Sequence, residues 1–212
     1  MQQHRIVILG ATGGTGRALV SQALEAGHHV TAFVRNPDKL ALRRERLRVL
    51  AGDAASGAPT LGDAVRGQDA VISALGRGRS FKAQGLMQRS VPHILEVMRD
   101  YKVPRFIFMS AMGVGETGRD APLMSRMFSS LFLKDIFADK LAAEGLIRRS
   151  SVEWTIVHPT LLTDGPLTGT YRIGERLELH GMPKISRADT AHFMLAQLSD
   201  PTYVRKTVIV SY

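Results

Sequence analysis

Residues 6–17 read IVILGATGGTGR, and this stretch decides the fold. Four apolar residues precede a turn with glycines at positions 10, 13 and 16, and apolar residues at helical spacing follow as far as Gly27. We expect Gly10 to make the tight turn, Gly13 to let the backbone approach a diphosphate, and Gly16 to let the helix pack closely. We also expect a positive φ at Gly13. The stretch therefore predicts a strand, a glycine turn and a helix whose N-terminus binds a dinucleotide.

The composition is that of an ordinary globular protein. The chain has 212 residues, of which 44% are hydrophobic and 22% are charged, a size that suits one α/β domain. The absence of cysteine excludes disulfides, thiolate metal sites and a cysteine nucleophile. Because no apolar run approaches the length of a membrane span or resembles a signal peptide, we expect a cytoplasmic protein. The spacing of His, Asp and Glu predicts no metal site.

The formal net charge of +9 indicates attraction to anionic partners, such as dinucleotide phosphates or an anionic substrate. The positive charge is diffuse, apart from the arginines at positions 43, 44, 46 and 48. Neither zinc-finger spacing nor an aromatic RNA-binding motif accompanies it. We therefore do not expect nucleic acid to be the main ligand.

Strands and helices alternate along the whole chain. Strands are predicted at 6–9, 29–34, 47–50, 70–75, 106–109, 154–157 and 207–210, and helices after the glycine turn and at 61–65, 84–101, 137–149 and 186–198. Continuous apolar strands separated by helices predict an α/β fold, a Rossmann-type doubly wound parallel sheet with helices on both faces. We expect one domain over residues 1–212, with a small substrate-side lobe near 163–183, a segment rich in Gly and Pro.

The residue that ends the second strand of such a fold distinguishes the two nicotinamide dinucleotides. Arg35 stands there, with Lys39 one turn further on, and an arginine accommodates the 2′-phosphate of NADP(H). Asp53 follows the third strand and is a candidate acceptor for the adenine amino group, or else an aspartate that caps a turn. The predicted cofactor-binding residues are Gly10, Thr12, Gly13, Gly14, Thr15, Gly16, Arg35, Lys39, Asp53, Ala54, Leu75 and Gly76.

The glycine spacing, Arg35, the Gly52-Asp53 pair and residues 73–76 (SALG) resemble the atypical branch of the short-chain dehydrogenase/reductase superfamily. Within it, residues 164–171 and 185–195 are similar to the biliverdin-IXβ reductase family, also called flavin reductase. The resemblance implies a monomeric NADPH-dependent reductase of flavins, bilins and some quinones, with Ser110 near the nicotinamide.

The chain departs from that family on the substrate side. Leu161 occupies the position of the family's substrate-site histidine, and the loop between Ser110 and Lys140 is a few residues longer. We interpret His158, which precedes Pro159, as structural. The predicted substrate-binding residues are Met112, Leu161, Leu162 and Tyr171. Methionines 109, 112, 124 and 127, with Phe128, line an adaptable pocket or fill the core.

The usual proton donor of the superfamily is missing. Its members use a Tyr-x-x-x-Lys pair, but here Lys140 follows Ile136, and the four tyrosines lie elsewhere in the sequence. This favours acceptors that take hydride at a conjugated carbon or a ring nitrogen. Ser110 and Lys140 are the candidate catalytic residues, with Ser110 holding the nicotinamide carboxamide or polarising the acceptor. The alternatives are a serine bonded only to backbone and a surface lysine.

The sequence therefore predicts an NADPH-dependent reductase of a flavin-like, quinone-like or bilin-like small molecule. The alternative is a non-catalytic NADP(H)-binding redox sensor that acts through a partner protein, which the missing tyrosine also suits. A third interpretation, an isomerase on the same fold, is disfavoured by that absence.

Overall fold

A computed structural model describes residues 2–40, 42–57, 59–76, 85–115, 117 and 134–212. The strands are β1 (Arg5–Leu9), β2 (His29–Val34), β3 (Leu47–Ala51), β4 (Ala70–Ser73), β5 (Arg105–Met109), β6 (Glu153–Pro159), β7 (Leu161–Thr163), β8 (Arg172–Gly174), β9 (Lys184–Ser186) and β10 (Lys206–Ser211). The helices are α1 (Gly14–Glu25), α2 (Pro59–Val65), α3 (Leu86–Asp100), α4 (Lys134–Arg149) and α5 (Arg187–Ala196), with short 3₁₀ turns at Pro37–Lys39 and Pro201–Tyr203.

The main sheet has the strand order β3-β2-β1-β4-β5-β6-β10-β8. All neighbours pair in parallel except β8, which runs antiparallel to β10 at the edge. The chain leaves β1 toward β2 on one side and returns to β4 on the other, so the strand order reverses between β1 and β4. Ligands of such sheets bind outside the carboxyl ends of the strands at this point. The predicted Rossmann-type fold is confirmed.

Alternation along β1 divides the core into two layers. Ile6 and Ile8 face one side of the sheet, where α1 and α5 pack. Val7 and Leu9 face the other side, where α2, α3 and α4 pack. Since successive strand residues point to opposite faces, a strand that is apolar at every position is covered on both.

The segment near 163–183 and the residues on either side of it carry more sheet than the sequence indicated. β8 joins the main sheet there, and β7 pairs in parallel with β9 as a separate two-stranded sheet. Each of these three strands is only three residues long, and β8 is largely exposed, so none of them has an apolar run that marks it in the sequence. Pro92 also proves to lie inside α3, which begins at Leu86. None of the helices in the described part of the chain is long and apolar enough to cross a membrane.

Candidate functional site

The glycine turn lies where β1 and β4 separate. Gly10 has φ +79°, a conformation that favours glycine, and a Cβ there would lie 2.5 Å from the carbonyl oxygen of Ala74. A Cβ at Gly16 would collide with the carbonyl of Gly10, so the start of α1 packs directly on the turn. Both glycines are required by the protein's own backbone.

Gly13 is required for a different reason. It is the N-cap of α1 with φ −76° and ψ 167°, so the expected positive φ is wrong and any residue can adopt this backbone. A Cβ there would meet only the Gly10 carbonyl oxygen, at 3.4 Å. No side-chain cap accepts a hydrogen bond from the start of the helix, so its first N–H groups are available to a ligand. That open, positive helix end fits the diphosphate of a dinucleotide.

Arg17 fixes the distance from the turn to the next loop. Its guanidinium donates to the carbonyl oxygens of Thr12, at 3.1 Å, and Lys39, at 2.8 Å. Lys39 ends the 3₁₀ turn that follows β2, and Arg35 precedes that turn. Arg35 is exposed and makes no hydrogen bond or ion pair to any residue that the structure describes. The geometry fits the 2′-phosphate of NADP(H), which needs an uncommitted guanidinium beside the crevice.

The ends of β3 and β4 complete this side of the crevice. Asp53 accepts from the backbone N–H of Ala55 at 3.0 Å, so its carboxylate caps a turn and is half-buried. The backbone nitrogen of Leu75 is 2.9 Å from where a Cβ on Gly10 would lie, and a Cβ at Gly76 would meet nothing within 4 Å. The predicted cofactor residues therefore lie at the carboxyl ends of β1 to β4. A role for Asp53 toward adenine stays a prediction.

A buried polar cluster lies further along the same edge. Ser110, which follows β5, donates its hydroxyl hydrogen to Glu144 Oε1 at 2.5 Å. His158 on β6 places Nε2 2.8 Å from the same carboxylate oxygen, and its Nδ1 is 2.9 Å from Thr117 Oγ1. The Glu144 and His158 side chains are both 0% exposed. The Ser110 hydroxyl thus keeps only acceptor capacity for a ligand.

Glu144 is held as a carboxylate. Burial by itself raises the pKa of Glu144, but hydrogen bonds from His158 and Ser110 and the charge of Arg148 outweigh it, so the pKa lies below its ordinary value. Arg148, one turn later on α4, donates to Glu144 Oε2 at 2.9 Å and also to Thr207. Sequence reasoning missed Glu144, although its spacing of four from both Lys140 and Arg148 places all three on one helix face.

Lys140 also reaches the end of β5. Its ammonium donates to the carbonyl oxygen of Met109 at 3.4 Å, one residue before Ser110. The neighbouring Asp139 has a structural use, since its carboxylate accepts from the N–H groups of Met87 and Gln88 at the start of α3. The two candidate catalytic residues, Ser110 and Lys140, therefore lie at the same strand end, and their catalytic roles stay predictions.

The predicted substrate residues are less well gathered. Met112 donates its backbone N–H to the carbonyl of Pro159 at 2.9 Å, which joins the loops after β5 and β6. Leu161 is 55% exposed, and Leu162 packs against the core. Tyr171 turns its hydroxyl to His192 Nδ1, at 2.7 Å, on α5. Residues 124, 127 and 128, expected near this pocket, lie outside the described residues.

All four tyrosines are committed elsewhere. Tyr101 follows α3, at the amino edge of the sheet, and accepts from Arg66 at 3.0 Å. Tyr171 and Tyr203 pack against the ring of Phe193 on the α1 and α5 side. Tyr212 donates to the carboxylate of Asp189 at 2.6 Å. No phenol therefore accompanies Ser110 and Lys140, which lie at the carboxyl edge on the α4 side.

The start of α5 forms a second polar cluster, around the carboxylate of Asp189. Asp189 accepts from Ser186, from Tyr212, and from Thr168 and Gly169, so it ties the segment near 163–183 to the helix. Arg187, the first residue of α5, donates to Asp164 at 2.6 Å.

Known proteins resemble this chain in sequence and in fold. The profile of a family described as NAD(P)H-binding matches residues 10–201. "Reductase pytE" of Aspergillus terreus is 27% identical over 201 residues, covering 76% of each chain. A putative exported protein from Burkholderia pseudomallei has a solved structure with TM-score 0.83 and 26% identity, covering 99% of this chain and 100% of that one. ChuY, an anaerobilin reductase from Escherichia coli O157:H7, gives TM-score 0.79 at 21% identity, covering 97% and 96%, a likeness of fold.

Proposed function

The chain belongs to the NAD(P)H-binding family, and from that premise we propose that it is an NADPH-dependent reductase of a flavin-, quinone- or bilin-like small molecule. The prediction of NADP(H) as cofactor is confirmed by the family. The choice of NADPH over NADH, the acceptor, and the closer kinship with biliverdin-IXβ reductases belong to the proposal.

One observation carries the proposal: the Ser110 end of the crevice has a lysine and a buried carboxylate but no phenol. Helix α4 has Ile136 one turn before Lys140, and the four tyrosines have other partners. A ketone needs a proton on oxygen as hydride arrives, and a positioned acid usually supplies it. An acceptor with a conjugated ring system takes hydride without that acid, because water protonates the product. Flavins, quinones and linear tetrapyrroles have this chemistry.

Each part of the chain then has a defined task. The glycine turn and the N-terminus of α1 bind the diphosphate, and Arg35 binds the 2′-phosphate. Bound NADPH supplies the hydride from its nicotinamide ring. Ser110 accepts a hydrogen bond from the carboxamide, because its own hydrogen is donated to Glu144. Lys140 holds a positive charge at the end of β5. The protein's contribution is orientation and proximity.

The test is turnover of NADPH against a panel of acceptors. Oxidation is followed by the loss of nicotinamide absorbance with FMN, a benzoquinone and biliverdin isomers, each at saturating NADPH. Ser110→Ala is the matched variant, since it removes the carboxamide acceptor and leaves the glycine turn intact. Turnover of any of these acceptors, reduced in Ser110→Ala, supports the proposal. Binding of NADPH without turnover of any of them contradicts it.

The absent phenol also favours a second candidate, a sensor that binds NADP(H) and acts through a partner protein. A sensor needs the glycine turn and Arg35 but no catalytic group. It binds NADPH tightly and oxidises none of it with the same panel, so the turnover assay separates the two functions.

A further inference from the structure

Two helices present their N-termini to the phosphate end of the crevice. α1 begins at Gly14 and α5 at Arg187, and both precede strands that run parallel to the rest of the sheet. They pack side by side on one face, where the amide of Gln22 donates to the carbonyl of Ala188 at 3.0 Å. Both helix starts therefore lie at the carboxyl edge of the sheet.

The side chain of Arg187 crosses from α5 onto α1. A Cβ on Gly14 would lie 2.5 Å from Arg187 Cδ and 2.9 Å from Nε. Gly14 does not have a positive φ, so the turn itself does not require a glycine at this position. A side chain at position 14 would displace the Arg187 side chain from its present position. The guanidinium thus lies beside the first N–H groups of α1, the part of the chain that binds the diphosphate.

The present partner of Arg187 is a weak one. Arg187 Nη1 lies 2.6 Å from Asp164 Oδ1, but the Asp164 side chain is 90% exposed and that of Arg187 is 32% exposed. Water and salt screen such a pair, so its loss costs the fold little. The other arginine of the turn, Arg17, is already held by two carbonyl oxygens. Arg187 is the cation beside the turn that a stronger anion can recruit.

We propose that Arg187 is a diphosphate ligand that exchanges Asp164 for the dinucleotide. In the free protein the guanidinium rests on Asp164, and with dinucleotide bound it donates to the diphosphate, whose two negative charges outcompete one screened carboxylate. Asp164 is released, so occupancy of the crevice loosens one tie to the segment near 163–183. The inference rests on the dinucleotide binding that the proposed function requires, whether or not hydride is transferred.

Its signature differs from that of Arg35. The diphosphate is common to NADPH and NADH, so Arg187→Ala raises the dissociation constants of both by the same factor, about tenfold. Arg35→Ala affects NADPH alone. Asp164→Asn removes the competing negative charge and lowers both dissociation constants, about two- to threefold. Arg187→Ala and Asp164→Asn thus change the dissociation constants in opposite directions. In a purely structural ion pair, both substitutions would weaken binding.

The experiment is calorimetric titration of NADPH and NADH into the full-length wild type, Arg187→Ala, Arg187→Lys, Asp164→Asn, Arg35→Ala and Arg172→Ala. Arg172, an exposed arginine on β8, is the matched control and leaves both affinities unchanged. Arg187→Lys keeps the charge and falls between wild type and alanine. If Arg187→Ala fails to fold, the affinity of Asp164→Asn for the two dinucleotides still tests the exchange, because tighter binding than in the wild type is expected.

Three results overturn the inference. The first is an Arg187→Ala protein that binds both dinucleotides within twofold of wild type. The second is an Asp164→Asn protein that binds more weakly than wild type. The third is a loss in Arg187→Ala that is confined to NADPH, which assigns the residue to the 2′-phosphate. A wild type that binds neither dinucleotide contradicts the proposed function itself, and so the two failures are distinguished.

Discussion

The two ends of the crevice are built in different ways. The phosphate end, residues 10–17, is made of backbone, with glycines that keep side chains away and a helix start without a side-chain cap. The Ser110 end, formed by Ser110, Lys140, Glu144 and His158, is made of side chains from three separate segments that meet around one buried carboxylate. We expect the end made of backbone to be sensitive to added atoms, and the end made of a polar cluster to be sensitive to a lost partner. Substitutions at each end of the crevice test that difference.

The largest effect is expected at the centre of the polar cluster. Glu144→Gln removes the buried carboxylate that is hydrogen-bonded to His158 and paired with the exposed Arg148, and removing the charged partner at the centre of a buried polar cluster costs roughly 3 kcal/mol. Urea denaturation at pH 7 measures the loss of unfolding free energy. Asp63→Asn, which removes an exposed carboxylate paired with Arg66, is the control and leaves stability nearly unchanged.

The same variant has a defined pH dependence. The folded pKa of Glu144 lies below the ordinary 4.5, so its ionised form stabilises the protein fully above that value and loses this contribution as pH falls through the folded pKa. The difference between wild type and Glu144→Gln is therefore largest near neutrality and shrinks in acid. A difference that stays constant from pH 7 to pH 3 contradicts the assignment of an ionised carboxylate.

At the phosphate end, we expect one substitution to preserve the fold and to weaken dinucleotide binding. Gly13→Val adds a side chain at the N-cap of α1, where the extended backbone suits a β-branched residue and a Cβ would lie 3.4 Å from the Gly10 carbonyl oxygen. We expect an intact circular dichroism spectrum and at least a hundredfold weaker binding of NADPH, or about 2.7 kcal/mol. Gly10→Val, in contrast, combines a positive φ with a collision at Ala74 and is expected to unfold the protein. Unchanged NADPH affinity in folded Gly13→Val excludes this turn as the diphosphate site.

A smaller effect is expected at the edge of the phosphate end. Arg35→Ala removes one charge-assisted contact to the 2′-phosphate, worth about 1.5–3 kcal/mol, and leaves NADH affinity unchanged. We expect wild type to prefer NADPH about ten- to a hundredfold and the variant to lose that preference. Competitive titration of the two dinucleotides measures it. Equal affinities in the wild type contradict the role of Arg35.

The contrast between the two ends also explains what the sequence could reveal. The glycine turn lies within a dozen consecutive residues, so its strand, its helix and the position of Arg35 follow from local spacing. Glu144 was missed because its partners, Ser110 and His158, are brought to it only by the pairing of β5 with β6 and the packing of α4. Arg187 was missed for the same reason, since its contact with Gly14 joins residues far apart in the chain. The expected positive φ at Gly13 was wrong because a helix N-cap takes an extended backbone.

The smallest effect is expected where the sequence lacks its usual acid. The hydroxyls of Tyr101, Tyr171 and Tyr212 are bonded to Arg66, His192 and Asp189, all away from Ser110. Burial and the charge of Asp189 raise the pKa of Tyr171 to about 12, which makes this phenol a poorer proton donor. Replacing each tyrosine by phenylalanine should therefore keep single-turnover flavin reduction within a few-fold of wild type. A lost general acid costs about 10²–10⁴-fold.

Ser110→Ala is the positive control for that series, with an expected loss of roughly tenfold, because misplaced reactants lose proximity. Tyr171→Phe is the strictest test in this series, because the segment near 163–183 lies at the carboxyl edge of the sheet, where substrates of this fold enter. Loss of the hydrogen bond to His192 in Tyr171→Phe should lower the free energy of unfolding slightly and leave the rate of hydride transfer unchanged. A hundredfold slower step in Tyr171→Phe, with NADPH affinity unchanged, would show that this chain has moved its proton donor to the α5 side. The polar cluster around Glu144 would then stabilise the fold without taking part in hydride transfer.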